Sequence, residues 1–116
     1  MPRPKRGEVW LVRFPFTDLT STKLRPALVL AVHGEDVIVI GIFSRVHAGT
    51  LRRTWVLVED RHPAFRRIGL KKTSLLKAEK IAVVHESVFW RRLGTLPSHL
   101  MAQVEEALKI ALHISG

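Results

Sequence analysis

Ala27-Leu-Val-Leu-Ala-Val-His-Gly-Glu-Asp-Val-Ile-Val-Ile-Gly-Ile-Phe43 is the stretch on which the fold turns. Two apolar runs, Ala27–Val32 and Val37–Phe43, flank the polar connection His33–Asp36, which has room only for a tight turn. Their spacing predicts an antiparallel hairpin. Each run is apolar at nearly every position, so both strands belong in the middle of a sheet with both faces covered. Pro26 opens the first strand, where a missing N–H donor is tolerated.

Outward from the hairpin, the segments read as short strands and turns. Glu8–Phe14 alternates weakly and predicts a strand ended by Pro15, followed by a loop of turn formers at Thr17–Lys23. On the other side come a polar loop, Ser44–Leu51, and a strand at Arg52–Val58. Glu59–Leu70 reads as an irregular excursion with one short helical turn. Two further strands are expected at Thr73–Lys77 and Lys80–His85, then a helical turn at Ser87–Arg92 closed by Gly94. From Ser98, residues Leu100, Met101, Val104, Ala107, Leu108, Ala111 and Leu112 recur at three and four, which predicts an amphipathic helix with Ser98 as its N-cap. The expectation is one domain over residues 1–116, mainly β with a C-terminal helix. Five or six short strands of this kind make a small, strongly bent β-barrel with the helix on its side.

Composition narrows the function. The 116 residues hold 19 Lys and Arg against 10 Asp and Glu, a net charge of +9, with 47% hydrophobic residues. Such a chain has the apolar content for a core and the sign of charge for an acidic partner. The basic excess gathers as Arg3, Lys5 and Arg6, as Arg45, Arg52 and Arg53, as Arg61, Arg66 and Arg67, as Lys71 and Lys72, and as Arg91 and Arg92. It favours a phosphate backbone over a small molecule, the bland alternative being a solvated basic surface. No apolar stretch approaches the roughly 18 residues of a membrane span, and no signal peptide opens the chain, so the expected location is the cytoplasm. The absence of cysteine excludes disulfides, thiolate metal sites and a cysteine nucleophile. The six histidines lack metal-ligand spacing, and neither a metal nor another cofactor is expected. No nucleophile elbow or phosphate-binding glycine loop is present.

Two places carry candidate chemistry. Arg25 precedes Pro26, which fixes its backbone as extended and mounts a guanidinium at the mouth of a buried strand. A planar fork there suits two phosphate oxygens, although capping loop carbonyls is an equal alternative. His47 lies in a polar loop beside Arg45, Arg52 and Arg53, where it either contacts phosphate, moves a proton or is simply solvated.

At these residues the chain resembles a known family. Lys5-Arg-Gly-Glu-Val-Trp-Leu-Val12, Phe14-Pro-Phe-Thr-Asp-Leu19 and Leu24-Arg-Pro-Ala-Leu-Val-Leu30 are similar to the PemK/MazF toxins of toxin–antitoxin systems. The likeness continues through Val37–Ser44, Gly69-Leu-Lys-Lys-Thr-Ser74, Lys77–Lys80 and Leu93-Gly-Thr-Leu96, about residues 5–114 in all. It implies an SH3-like barrel of the PemK/MazF/CcdB type, a homodimer, and a sequence-specific endoribonuclease that cuts single-stranded RNA, including mRNA, without metal. It also implies a small acidic antitoxin as partner. The reaction implied is attack of a ribose 2′-hydroxyl on the adjacent phosphate, which needs a proton acceptor, a donor to the leaving oxygen and cations on the phosphorane.

Carried onto this chain, the family's catalytic arginine is Arg25. Its threonine at the end of the third strand falls on Phe43, followed by Ser44, which supplies the hydroxyl only if the strand has ended or bulged there. An assisting arginine–aspartate pair falls on Lys77 and Glu79. Arg25 is a poor proton acceptor, which leaves Glu79 or His47 for that role. The expected catalytic set is Arg25, Ser44, Lys77 and Glu79. The expected RNA contacts are Thr17, Lys23, Arg45, His47, Arg52 and Arg53. Two alternatives share the fold: a catalytically weak barrel that binds RNA or an antitoxin, and a gyrase-targeting relative.

Overall fold

In the computed structural model, which describes residues 3–13, 23–46 and 49–115, the central hairpin forms as the sequence predicts. Leu24–His33 (β2) and Asp36–Phe43 (β3) pair antiparallel, joined by Gly34 and Glu35, with Gly34 at φ 63°. A positive φ at the first turn position matches the right-handed strand twist and needs glycine. Glu8–Arg13 (β1) pairs with β2, and Trp55–Val58 (β4) and Ser74–His85 (β5) extend the sheet beyond β3. Phe89–Thr95 (β6) closes the list of strands, giving the order β4-β5-β3-β2-β1-β6. One helical turn, Phe65–Ile68 (α1), and the C-terminal helix Ser98–Ala111 (α2) complete the chain. The fold is therefore mainly β with one C-terminal helix. Among the described residues, the two edge strands β4 and β6 do not pair, so the barrel-like sheet stays open along one seam.

Both faces of the sheet are covered, as the unbroken apolar runs of β2 and β3 require. Val9, Leu28, Ile40, Val58 and Ile68 pack on one face under Leu100, Val104 and Ala107 of α2. Trp10, Val12, Ala27, Val29, Val37, Val39, Val84 and Phe89 form a second core on the other face. Among the described residues α2 lends nothing to that second core; the bent sheet encloses it, with Ala82 and Val88 packed at its edge. Trp10 meets Phe89 edge-on at 5.7 Å. The nearly buried carboxylate of Glu8 secures this corner, accepting from the Lys5 N–H at 2.8 Å, the Trp10 indole at 3.0 Å and Arg92 at 3.2 Å. No helix of the described chain is long and apolar enough to cross a membrane.

Several local expectations are corrected. The two strands expected at Thr73–Lys77 and Lys80–His85 are one twelve-residue strand, β5. The gap between them survives as a break in pairing, because Ile40 faces Ile81 while Gly41 faces Lys77. The turn expected at Ser87–Arg92 is a 3₁₀ turn at Glu86–Val88 that runs straight into β6, since pairing with β1 outweighs local helix preference. β4 begins at Trp55 rather than Arg52, because a turn closes there from the Trp55 N–H to the Arg52 carbonyl at 3.0 Å. The N-cap of α2 is Pro97, not Ser98. The Pro97 carbonyl accepts from the N–H groups of Leu100 and Met101, which places Ser98 inside the helix. Phe14, Pro15 and most of the loop Thr17–Lys23 lie outside the described residues.

Gly69 and Gly94 let α1 approach β6. A methyl group on Gly94 would stand 2.0 Å from the Arg67 carbonyl oxygen and 2.6 Å from the Ile68 carbonyl carbon. Both obstacles are backbone and cannot swing aside. Gly94→Ala should therefore cost at least the ~1–3 kcal/mol of an overpacked core. In a domain of this size that lowers the melting temperature by about 5–15 °C or more, read by circular dichroism.

Candidate functional site

The hairpin ladder places Arg25. On β2 it pairs with the buried Val12 and shares a face with Ala27, two residues on, so its backbone is rigid while its side chain is exposed. No described residue forms an ion pair with it. Ala27 faces Gly41, Gly41 faces Lys77, and Lys77 faces Trp55. Paired residues point to the same side of a sheet, so Arg25, Phe43, Lys77 and Trp55 occupy one face across four strands. This face continues the second core at its open end. Lys23, at the entrance to β2, and Ser44 and Arg45, just past β3, are exposed at the same end of the sheet.

β3 ends at Phe43, so Ser44 lies outside the strand alternation. The Phe43 ring packs against a cation. Lys77 Nζ stands 4.8 Å from the Phe43 centroid and 4.5 Å from that of Trp55. The ammonium lies against two π faces, which attract it through their quadrupoles.

Glu79 lies in the break of β5 and reaches the turn before β4. Its Oε1 accepts from Thr54 Oγ1 at 2.9 Å, and its Oε2 from Trp55 Nε1 at 2.8 Å and Arg52 at 3.3 Å. The Arg52 guanidinium also lies over the Trp55 ring, 5.2 Å from its centroid. Burial raises the Glu79 pKa. The bonds from Trp55, the Glu79 N–H and Thr54, with the charge of Arg52, outweigh it and hold the carboxyl below its usual value of 4.5. A carboxylate so engaged is a weak proton acceptor and a strong anchor. Of the two proton acceptors expected from the sequence, Glu79 thus has the geometry of a structural hub.

Arg53 is exposed and lines a cavity of about 400 Å³ between β4 and α2, with Trp55, Val56, Gln103, Ala107 and Ile110. A second cavity of about 260 Å³ lies against Arg3, Trp10, His85 and Phe89. Neither is lined by Arg25. Thr17 and His47 lie outside the described residues. Sequence reasoning missed Trp55 and Thr54. Their signal was the run Arg52-Arg53-Thr54-Trp55, basic residues beside an aromatic one, the composition of a base-stacking surface.

Comparison with known proteins follows this geometry. The sequence profile of the PemK-like, MazF-like toxins of type II toxin–antitoxin systems matches residues 5–112. No curated protein sequence matches the chain. Among solved structures, the toxin MazF-mt6 of Mycobacterium tuberculosis superposes with a TM-score of 0.73 at 19% identity, covering 94% of this chain and 99% of that one. A mycobacterial endoribonuclease in complex with its cognate antitoxin gives 0.73 at 21% identity, covering 97% and 98%. MazF of Deinococcus radiodurans gives 0.70 at 21% identity, covering 98% and 100%. At these identities the structural likeness speaks to the fold.

The depressed pKa of Glu79 sets a pH dependence. A carboxyl lowered on folding stabilises the native state fully above its unfolded value and stops doing so as pH falls through the folded one. Glu79→Gln should be less stable than wild type by about 1 kcal/mol at pH 7. Urea midpoints measured from pH 7 down to pH 3 should show that gap closing below pH 4.5.

Proposed function

Because the chain belongs to the PemK-like, MazF-like toxin family of type II toxin–antitoxin systems, we propose that it is an endoribonuclease toxin that cuts single-stranded RNA. The observation that carries this reading is Arg25, rigidly mounted, exposed and without a carboxylate partner among the described residues. It stands on the face that also holds Phe43, Lys77 and Trp55, with Lys23, Ser44 and Arg45 at the same end of the sheet. In the reaction the ribose 2′-oxygen bonds to the adjacent phosphorus, the P–O5′ bond breaks, and a proton passes from the 2′-hydroxyl to the leaving oxygen. Arg25 offsets the charge that develops on the phosphorane, and the Ser44 hydroxyl donates to the same oxygens. With Glu79 engaged elsewhere, His47 is the proton acceptor in this proposal. The step uses no metal. Thr17, Lys23, Arg45, Arg52 and Arg53 hold flanking phosphates, and an acidic antitoxin segment competes for the same basic surface.

Phe43 and Glu79 favour a second reading beside it. An aromatic ring stands where the family places a threonine, and the Glu79 carboxylate is tied to Thr54, Trp55 and Arg52. The same face then binds RNA and cuts it slowly or not at all. Cleavage of a long RNA in excess EDTA, with the new 5′ ends mapped, separates the two. Arg25→Ala should reduce the cleavage rate at least ~100-fold and weaken binding at low salt. Cleavage that survives this substitution places the active site elsewhere.

We further propose a homodimer. Ile81 and Val83 of β5 are exposed, Val83 at 64%, and face Ile40 and Ile38 of β3 across the ladder. They form an apolar strip on the sheet face opposite Arg25, and such a strip is covered in a stable assembly. Light scattering at tens of micromolar should give twice the 13.2 kDa chain mass, and Val83→Lys should shift it toward monomer.

A further inference from the structure

We infer that Trp90 and Arg13 form a second contact for the same RNA, a stacking platform for one unpaired nucleobase beyond the Arg25 face, with Arg91 taking an adjoining phosphate. The inference rests on the RNA-binding reading above and names a further binding site within it. Trp90 is 56% exposed, whereas Trp10 is buried and Trp55 is half-buried and tied to Glu79. The Arg13 guanidinium lies over the Trp90 ring, 5.2 Å from its centroid. Among the described residues no other group packs on that ring. One face of the indole is thus backed by a cation and the other is open to solvent. Stacking on the open face needs no group to move, and every base has a π face to offer it.

A bulge in β6 puts the ring there. Val12 faces Phe89 and Leu11 faces Arg91, so Trp90 is the extra residue, and Trp90 and Arg91 together stand against Leu11. Arg13 shares that side of the sheet, two residues from Leu11 and opposite Leu24. Leu24 precedes Arg25, so the platform and Arg25 lie on opposite faces at the same end of the sheet. A single strand held at Arg25 and crossing that end meets the indole next. Arg13 and Arg91 are exposed, and neither has a carboxylate partner among the described residues. An aromatic face flanked by uncompensated guanidinium groups suits unpaired bases and the phosphates between them. Other occupants fit less well. β6 carries two register shifts against β1, and a bulged edge is a poor template for an added peptide strand. A twofold contact centred on Trp90 would set Arg13 and Arg91 near their own counterparts, where like charges repel.

The test uses the full chain and two 2′-O-methyl single strands, which cannot form the cyclic phosphate, one of about four residues and one of about twelve. Trp90 emission is read as the difference between wild type and Trp90→Phe. Affinity is read by fluorescence anisotropy at several salt concentrations and assembly by light scattering, with a melting curve for each variant. The long strand should quench Trp90 emission, and an oligo(Glu) of equal charge should not. Trp90→Ala should bind the long strand at least ~10-fold more weakly and the short one as wild type does, with the slope of log affinity against log salt unchanged. Trp90→Phe should recover most of that loss, because a ring remains. Arg91→Gln should instead reduce the slope for the long strand by about 0.7, the loss of one phosphate contact. Unquenched Trp90 emission, or Trp90→Ala binding the long strand as tightly as wild type, overturns the inference and leaves the RNA reading standing. Quenching by oligo(Glu) as strong as by RNA, or a change of assembly mass in Trp90→Ala, assigns the face to an acidic peptide or to a second copy and also overturns it. If neither strand binds, both readings fall.

Discussion

A step in one ladder governs this molecule. On β3, Ile40 and Gly41 are neighbours, but their partners on β5 are Ile81 and Lys77, so Ala78, Glu79 and Lys80 have no opposite number. A strand that carries extra residues bends and twists more sharply than its partner. The first half of β5 runs between β3 and β4, and the second half continues along β3 to the hairpin end. That bend lets one sheet bury apolar residues on both faces with a single long helix to help it. The interruption is not left raw: the Ala78 N–H bonds to the Thr54 carbonyl at 2.9 Å, which ties the break to the turn before β4.

The same step builds the candidate site. Glu79 sits in the unpaired segment, free of the ladder, and so its carboxylate reaches across to Thr54, Trp55 and Arg52. Lys77, the last residue before the break, still pairs with Gly41 and Trp55 and therefore faces the row that contains Arg25. One irregularity thus separates two acid–base neighbours in sequence into an anchor and a free donor. The low pKa of Glu79 follows from this division of labour, since three donors converge on a carboxylate that burial alone would have protonated more readily.

How much of this was legible in the chain depended on distance. The hairpin Ala27–Phe43 and helix α2 announce themselves because their patterns are local and strong, whereas the short helical turn expected somewhere in Glu59–Leu70 is placed at Phe65–Ile68 only by the structure. Arg25 was legible because Pro26 constrains it directly. β6 was not, since Phe89-Trp-Arg-Arg-Leu-Gly-Thr95 is an edge strand whose exposed residues break the alternation and whose partner β1 lies some eighty residues away. The hub at Glu79 was invisible for a similar reason. A single sequence shows that Lys77 and Glu79 are two apart, and a regular strand would then put them on one face doing one job. Only the register of β3 against β5 reveals that they part company.

The charge and the rings answer different demands of recognition. A net charge of +9 draws a polyanion from any direction and binds it in any register, an attraction that salt removes and that carries no sequence information. Discrimination needs a few groups whose geometry is settled before the ligand arrives, because ordering them on binding would consume the difference they are meant to create. Arg25, Arg45 and Arg53 remain exposed, while on the Arg25 face Phe43, Lys77 and Trp55 are held half-buried against one another. If the family's threonine position is Phe43, as the proposed reading has it, the exchange removes a hydroxyl from the site and puts an aromatic face beside an ammonium. Such a surface keeps its charge for binding a polyanion while it loses a group for chemistry on the phosphate.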